Sequence, residues 1–346
     1  MTTQGRRLTQ QDIARMAGVS QTTVSLVLNK RGDADVRIAP ETRERVLQVI
    51  RETGYVADPA ARRLAYGRNR ILGVFTYEAV FPAESADFYH PFLVGIEECA
   101  QEIGCDLLLF TSAKAASGAR RRIFNEESRV RLADGCVLLG RTVDREDLAR
   151  LLAEGIPFVS VGRRDDAGGP VPYVGADYPP AVLGLVERAV ALGHRRLGYV
   201  GAGTGGESMA DRLRGFHEGV AATGADGRHF TPDVPLGDVI ASGVTAVFVE
   251  EYADCVAIAA AAAERGVEVP HDLSILTLGA FTRPVQIDRD FTGFRIPRRE
   301  MGRRAVQLLA EVLETGGTPQ ELLPCELVDG TTLAPNRNLT GDFPRG

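Results

Sequence analysis

The segment Gln21-Thr-Thr-Val-Ser-Leu-Val-Leu-Asn29 carries the chain's most suggestive chemistry. Val24, Val27 and Leu28 recur at i, i+3 and i+4, the spacing of one buried helical stripe. The opposite face then carries Gln21, Thr22, Thr23, Ser25 and Asn29, all short and polar. Such side chains can approach a base pair closely. Gln bonds adenine bidentately, and Thr meets a thymine methyl or a phosphate. Any solvated helix can show such a face, so the elements around it must decide.

Those elements form a unit. Thr9-Gln-Gln-Asp12 is a capping-box pattern that starts a short helix, with Ile13 and Ala17 on its inner side. Gly18 supplies the positive φ that ends it. Val19 and Ser20 form the turn and the second N-cap, so the order is helix, tight turn, helix. A third helix begins near Pro40, buries Val46, Val49 and Ile50, and stops at Gly54. Residues 1–70 carry 13 Lys/Arg against 7 Asp/Glu, whereas the whole chain of 346 residues has a net charge of −6. A basic head on an acidic body points to a head that meets a polyanion.

The stretches LTQQDIARMAGVSQTTVSLVLN and ETRERVLQVIRETGYVADPAARRLA resemble the head of the LacI/GalR family of bacterial transcription regulators across residues 8–65. The resemblance implies that Gln21, Thr22 and Leu26 read bases. It implies that Thr9, Ser20, Thr23, Ser25, Asn29 and Tyr55 meet phosphates. Leu26 stands where well-known members carry Arg, so one strong guanine contact is absent. The loop 30–39 is longer than usual, and its Arg37 is a further phosphate candidate.

Residues 58–68, DPAARRLAYGR, carry a start signal, an early Pro and a Gly stop. A helix of about two turns is marginal alone in water. The family resemblance implies a hinge helix that forms on DNA, with Ala61 and Leu64 at the minor groove and Leu64 as an apolar wedge. Arg62 and Arg63 are placed to meet phosphates.

From residue 71 onward, apolar runs at 71–76, 106–111, 135–139, 157–161, 197–201, 246–249 and 273–278 alternate with helical patterns at 91–103, 144–154, 180–192, 208–222 and 254–265. That alternation predicts parallel sheets covered on both faces, here two doubly wound subdomains with a ligand cleft between them. The resemblance continues through segments such as ERAVALGHRRLGYVGAG and DRLRGF to about residue 335. It implies an α/β periplasmic-binding-protein-like body behind an all-α helix-turn-helix head. The predicted organisation is head 1–57, hinge 58–68 and body 69–346. Within the body, one subdomain takes 69–172 and 298–325, the other 173–297 and 326–346.

By resemblance, Arg212 in DRLRGF grips the effector; a guanidinium fork suits paired hydroxyls or a carboxylate. The family's sugar-binding acids are replaced by Glu251-Tyr252 and by Gly279-Ala280. The cleft is therefore expected to have fewer acceptors and more aromatic surface, from Tyr252 with Phe75, Phe88 and Tyr89. Asp177 is either a ligand carboxylate or a helix cap. An effector other than a plain hexose is expected: a larger glycoside, a phosphorylated or carboxylated sugar, or a non-sugar metabolite.

Rival chemistries find less support. Gly201-Ala-Gly203-Thr-Gly-Gly206 follows a strand and matches GxGxxG, but Asp226 falls in a predicted Gly-rich loop instead of ending the next strand. No cofactor and no metal site is expected. The five His pair with no Ser or Cys motif, and GxSxG, HExxH and P-loop patterns are missing, so no catalytic residues are assigned. The five Cys read as buried reduced thiols. With no apolar run of membrane length and no signal-peptide pattern, a cytoplasmic protein is expected. Without leucine heptads after residue 310, a homodimer is expected, not a tetramer. The leading reading is a DNA-binding repressor acting on a pseudo-palindromic operator under allosteric control by a small molecule. A solute-binding protein of a transport system is the rival, as is a regulator whose cleft no longer binds a sugar.

Overall fold

The computed structural model describes residues 8–28, 38–55, 68–78, 83–111, 121–124, 128–279 and 290–337. The chain forms two compact units, Met1–Asn69 and Arg70–Gly346.

In the head, α1 (Gln10–Ala17), α2 (Gln21–Leu28) and α3 (Pro40–Thr53) pack around Ile13, Ala14, Ala17, Val24, Val27 and Val46. The capping box is present: the Asp12 N–H donates to Thr9 Oγ1 at 3.3 Å and the Thr9 N–H donates to Asp12 Oδ2 at 3.0 Å. Gly18, at φ 64°, turns the chain out of α1, and Ser20 accepts from the Thr23 N–H at 3.1 Å to start α2. Arg45 on α3 donates to the Ala17 carbonyl at 2.9 Å and ties the end of α1 to the third helix. Val49 and Ile50 pack against this core but stay half-buried. The predicted hinge helix lies outside the described residues.

The body has two six-stranded sheets. Its elements, in chain order, are β1 (Ile71–Thr76), α4 (Ala83–Glu102), β2 (Asp106–Phe110), β3 (Gly135–Leu139), α5 (Arg145–Ala153), β4 (Phe158–Val161), β5 (Tyr173–Asp177), α6 (Tyr178–Ala191), β6 (Arg196–Val200), α7 (Glu207–Thr223), β7 (Asp226–Phe230), α8 (Leu236–Ala241), β8 (Ala246–Val249), α9 (Tyr252–Glu264), β9 (Ser274–Thr277), β10 (Thr292–Arg295), α10 (Arg298–Thr315), β11 (Gln320–Pro324) and β12 (Glu326–Val328). The first sheet runs β11-β5-β4-β3-β1-β2, all parallel. The second runs β12-β10-β9-β8-β6-β7, parallel except for β12 against β10. The chain passes between the lobes after β5, after β10 and after β11.

The sheet pairing corrects the expected subdomain boundary at 172/173. β5 pairs with β4 and β11, so it belongs to the first lobe, and the crossing comes at α6. The strand at 226–230 is a second correction. The sequence DGRHF is polar because β7 is an edge strand, exposed along most of its length. The first long helix starts at Ala83, not at Pro91, and carries that proline inside it.

α4 and α10 touch through glycines. A Cβ on Gly302 would lie 2.2 Å from the Phe92 carbonyl oxygen, and one on Gly95 would lie 1.9 Å from that of Arg299. The close approach also aligns Arg303 with Glu102 at 2.8 Å. Of the cysteines, Cys99, Cys136 and Cys255 are buried, while Cys105 and Cys325 are only half-buried; all five are free thiols. Among the described residues, no helix is long and apolar enough to cross a membrane, and no group of His, Cys, Asp and Glu is placed to hold a metal ion.

Candidate functional site

The head's candidate surface is built on α2. Val24 and Val27 turn inward, which leaves Gln21 and Thr22 exposed and Thr23, Ser25 and Leu26 half-buried. Gln21 and Thr22 stand in the first turn, where the helix dipole favours a phosphate. Three predicted phosphate contacts already have local partners. The Thr9 hydroxyl donates to Asp12 at 2.7 Å, and the Ser20 and Thr23 hydroxyls share a bond of 2.8 Å. Tyr55 packs half-buried against the head's core. Asn29, Arg37, Ala61, Arg62 and Leu64 lie outside the described residues.

In the body, the carboxyl ends of the parallel strands of both lobes meet a cavity of about 240 Å³. Polypeptide folds of this kind bind ligands there because strand ends deliver polar residues and helix starts deliver free N–H groups. Arg212 sits on α7 one turn in from its start and is buried to 8% exposure. Its Nε donates to the Leu278 carbonyl at 2.7 Å and its Nη1 to the Ser208 carbonyl at 3.1 Å. The guanidinium lies 4.1 Å from the Tyr178 ring centroid, so a cation–π contact and two carbonyls hold the fork in place.

Other charged residues enter from loops that follow apolar strands. Arg141 follows β3 and faces Glu251, beside α9, at 3.4 Å. Arg164 follows β4 and donates to the Gly140 carbonyl at 2.8 Å and to Glu207 on α7 at 3.0 Å. Burial pushes the Arg164 guanidinium below its ordinary pKa, and the Glu207 carboxylate opposes that. Glu250 follows β8 and is itself buried; it accepts from the Tyr199 hydroxyl and from the Gly203 N–H, both at 2.9 Å. Just outside the lining, Arg163 reaches Asp211 on α7 at 2.7 Å. Three ion pairs thus cross from the first lobe to the second: Arg141–Glu251, Arg163–Asp211 and Arg164–Glu207.

Of the predicted effector residues, Arg212, Phe88, Glu251, Tyr252 and Gly279 line the cavity. Phe75, Tyr89 and Asp177 do not. Phe75 is buried inside the first lobe, edge-on to Tyr77 at 5.0 Å. Tyr89 is buried and its hydroxyl bonds Glu78. Asp177 ends β5 ahead of α6 and makes no side-chain cap bond; burial raises its carboxyl pKa, and the Asp211 charge adds to that. Phe88 and Tyr178, next to Tyr89 and Asp177 in sequence, line the cavity from the helices α4 and α6.

The sequence reading missed Arg141, Arg164, Tyr178, Glu250 and Arg298. Three of them had a signal: Arg141, Arg164 and Glu250 are early charged residues after apolar runs, at the carboxyl ends of parallel strands. Arg298 had none, since it arrives on a helix that crosses back to the first lobe.

The glycine-rich motif has a packing reason. A Cβ on Gly201 would lie 2.3 Å from Glu250 Oε2, so the loop's glycines make room for a buried carboxylate. Asp226 starts β7 instead of lying in a loop, and it sits at the strand end away from the cavity. Asp226 is therefore not at the carboxyl end of the strand that follows the loop, where a ribose-holding acid would stand.

A helix-turn-helix head followed by a two-lobed ligand-binding body defines a class: regulators that couple DNA binding to a small molecule. Three family models match in the corresponding places. Residues 9–58 match "Bacterial regulatory proteins, lacI family", 76–242 "Periplasmic binding proteins and sugar binding domain of LacI family", and 186–333 "Periplasmic binding protein-like domain". The chain belongs to the LacI family of bacterial transcription regulators. It is 28% identical to the HTH-type transcriptional regulator CelR of Thermobifida fusca, over 95% of this chain and 97% of that one. It is 26% identical to catabolite control protein A of Priestia megaterium, over 87% and 91%. In fold it is similar to the lac repressor dimer bound to operator and an anti-inducer, with a TM-score of 0.73 at 20% identity, covering 95% of this chain and all of that one.

Proposed function

We propose that the protein represses transcription as a homodimer on a pseudo-palindromic operator, and that a small molecule bound in the body's cavity changes its affinity for that operator. The observation that carries this reading is the pairing of an exposed Gln21–Thr22 face on α2 with a cavity in which Arg212 is held ready between two lobes. The similar CelR structure is a complex with cellobiose, which supports a sugar or sugar derivative as the molecule here.

In this reading Gln21, Thr22 and Leu26 set sequence preference, while Thr23, Ser25, Asn29, Arg37, Tyr55 and Arg62 hold the backbone. The half-sites match the dimer's twofold axis. A ligand that binds one arrangement of the lobes more tightly than another, with the ion pairs between them made or broken, shifts the balance by its differential affinity. The protein works in the cytoplasm, where its operator is.

Selection of duplexes from a random pool by the purified protein, followed by binding titrations on the best site, tests this. Gln21→Ala should change the preferred base at one position of each half-site. Arg212→Ala should retain operator affinity and lose the response to the ligand. A binding constant insensitive to sequence, with a salt response unlike phosphate neutralisation, would overturn the DNA reading.

A further inference from the structure

We propose that the cavity is built for a small anion: a metabolite with a carboxylate or phosphate attached to a ring or another flat apolar face. The inference rests on the cavity being the effector site and adds the class of molecule that fits it.

The first observation is charge. The lining holds the four guanidiniums Arg141, Arg164, Arg212 and Arg298 against the two carboxylates Glu250 and Glu251. Both carboxylates are engaged, Glu250 by the Tyr199 hydroxyl and the Gly203 N–H, and Glu251 by Arg141. Arg164 has Glu207. Arg212 differs: it is 8% exposed, bonds two main-chain carbonyls and makes no ion pair among the described residues. Its Nη2 stands 3.6 Å from the place a Cβ on Gly279 would occupy, so the glycine leaves that donor uncovered on the cavity side. Burial works against its charge, and Tyr178, Tyr199, Glu251 and Glu250 offset that through space without an ion pair; a ligand oxyanion bonded to the fork would supply the direct counter-charge.

The second observation is independent of side-chain charge. The first turns of four helices form part of the lining: α6 through Tyr178, α7 through Ser208 and Met209, α9 through Tyr252 and Ala253, and α10 through Arg298. In none of the four does the N-cap side chain accept from the first-turn N–H groups. Each N-terminus carries a partial positive charge; the free donors are fewer, because Pro179 and Pro180 have no N–H and Met209, Asp254 and Arg298 give theirs to the Gly206, Glu251 and Ile296 carbonyls. Converging on one cavity with a buried arginine, these N-termini make it an anion receptor.

The rest of the wall is mostly apolar, with the rings of Phe88, Phe92, Tyr178 and Tyr252 beside Val161, Ile296 and Met301. The Phe88 ring lies 4.7 Å from the Arg141 guanidinium and 5.8 Å from that of Arg298. A ring stacked near Phe88 would place an attached acid group among the guanidiniums. A neutral hexose, by contrast, needs acceptors for its hydroxyl protons, and the lining has two carboxylates against four guanidiniums.

The test uses the full-length protein and matched probes: glucose 6-phosphate and glucuronate, each against glucose, with inorganic phosphate as the minimal anion and sodium chloride at equal ionic strength as control. Thermal unfolding and calorimetry read binding, since a ligand of the folded state raises the midpoint. Inorganic phosphate should stabilise the protein saturably beyond the chloride control, and at least one of the two acids should bind at least tenfold more tightly than glucose. The acid that wins distinguishes phosphate from carboxylate. Arg298→Gln, and Gly279→Asp, which sets a carboxylate beside Arg212, should each weaken the anion at least tenfold; Arg298→Gln decides alone if Gly279→Asp does not fold. Glucose binding as tightly as both acids overturns the proposal. So does phosphate stabilisation that is no greater than chloride's or equal in wild type and variants. An acid that binds but leaves operator affinity unchanged supports the anion site and overturns its effector role. A neutral sugar that binds better than the acids and releases the operator does the reverse.

Discussion

In the head, the residues proposed to read DNA come from one helix of eight residues, Gln21–Leu28. In the body, the cavity's lining is gathered from Phe88 to Met301, out of both lobes and across the chain's crossings between them. The head's surface depends on helical periodicity alone. The body's cavity depends on which strands neighbour each other, a property no local stretch of sequence encodes. Disturbing the packing of the body should therefore dismantle its site, while the head keeps its own small core.

Gly302→Leu should give the largest effect. A Cβ there would stand 2.2 Å from the Phe92 backbone oxygen, and backbone cannot rotate aside. Overpacking of this kind costs about 3 kcal/mol or more. Chemical denaturation should show a lower midpoint for the body, and hydrogen exchange should rise across 83–111 and 298–324 while α1 to α3 keep their protection. Equal loss of protection in the head would break the comparison, because the two units would then share their stability.

How much was legible follows the same division. The head's caps, turn and buried stripe are local, and Thr9, Gly18, Ser20 and Val24 announce them. In the body, the strands Ile71–Thr76, Gly135–Leu139 and Ala246–Val249 are apolar throughout because sheet neighbours and helices cover them, so they were readable with their ends. β5, β7, β10, β11 and β12 were not: the edge strands β7, β11 and β12 alternate or expose their side chains and look like loops, and the interior β5 and β10 are broken up by Gly175, Asp177, Thr292 and Gly293. For the cavity, the strand-end rule reaches Glu251 and Gly279. Choosing Phe75 and Tyr89 by their aromatic character failed because the chain's twofold strand alternation and the Glu78 bond turn both into the lobe.

Leu64→Ala should come next. The proposed hinge helix inserts Leu64 between base steps, and its loss should reduce DNA bending and weaken operator binding by a few kcal/mol per dimer. Affinity of the free protein for its ligand should not change. Bending measured by fluorescence transfer across the site checks this; wild-type bending in the variant complex would remove Leu64 from the wedge.

Thr9→Ala sharpens the division within the head. The Thr9 hydroxyl is already bonded to Asp12, and the Asp12 N–H returns to it. Its removal should cost about 1 kcal/mol of helix stability, the usual value of an N-cap. Thr9→Ser should restore the loss. If Thr9 acts only as a cap, the salt dependence of operator binding stays as in wild type. A shallower slope by about 0.9 would mean that a phosphate contact was lost as well.

The smallest effect concerns acid, and it should fall on the body alone, because residues 1–69 contain no histidine. His194, at the end of the α6–β6 turn, is buried. Its Nε2 lies 2.9 Å from the Ala334 carbonyl, which makes that nitrogen the donor, and its Nδ1 then accepts from the Thr245 hydroxyl at 2.9 Å. Burial holds the imidazole below its ordinary pKa, more strongly than the Ala334 carbonyl raises it. The unfolded chain therefore binds a proton more readily than the folded one below the ordinary value of 6.5. Stability must rise with pH wherever the unfolded state binds more protons, so this residue's contribution is intact at pH 7 and declines as pH falls through 6.5 toward the lower folded value. His194→Gln keeps a donor and an acceptor but cannot titrate. Between pH 7 and pH 5 the body of wild type should lose stability faster than that of the variant, with the head's transition moving alike in both. Parallel pH curves for the two bodies would show that the buried imidazole takes up its proton without strain on the fold.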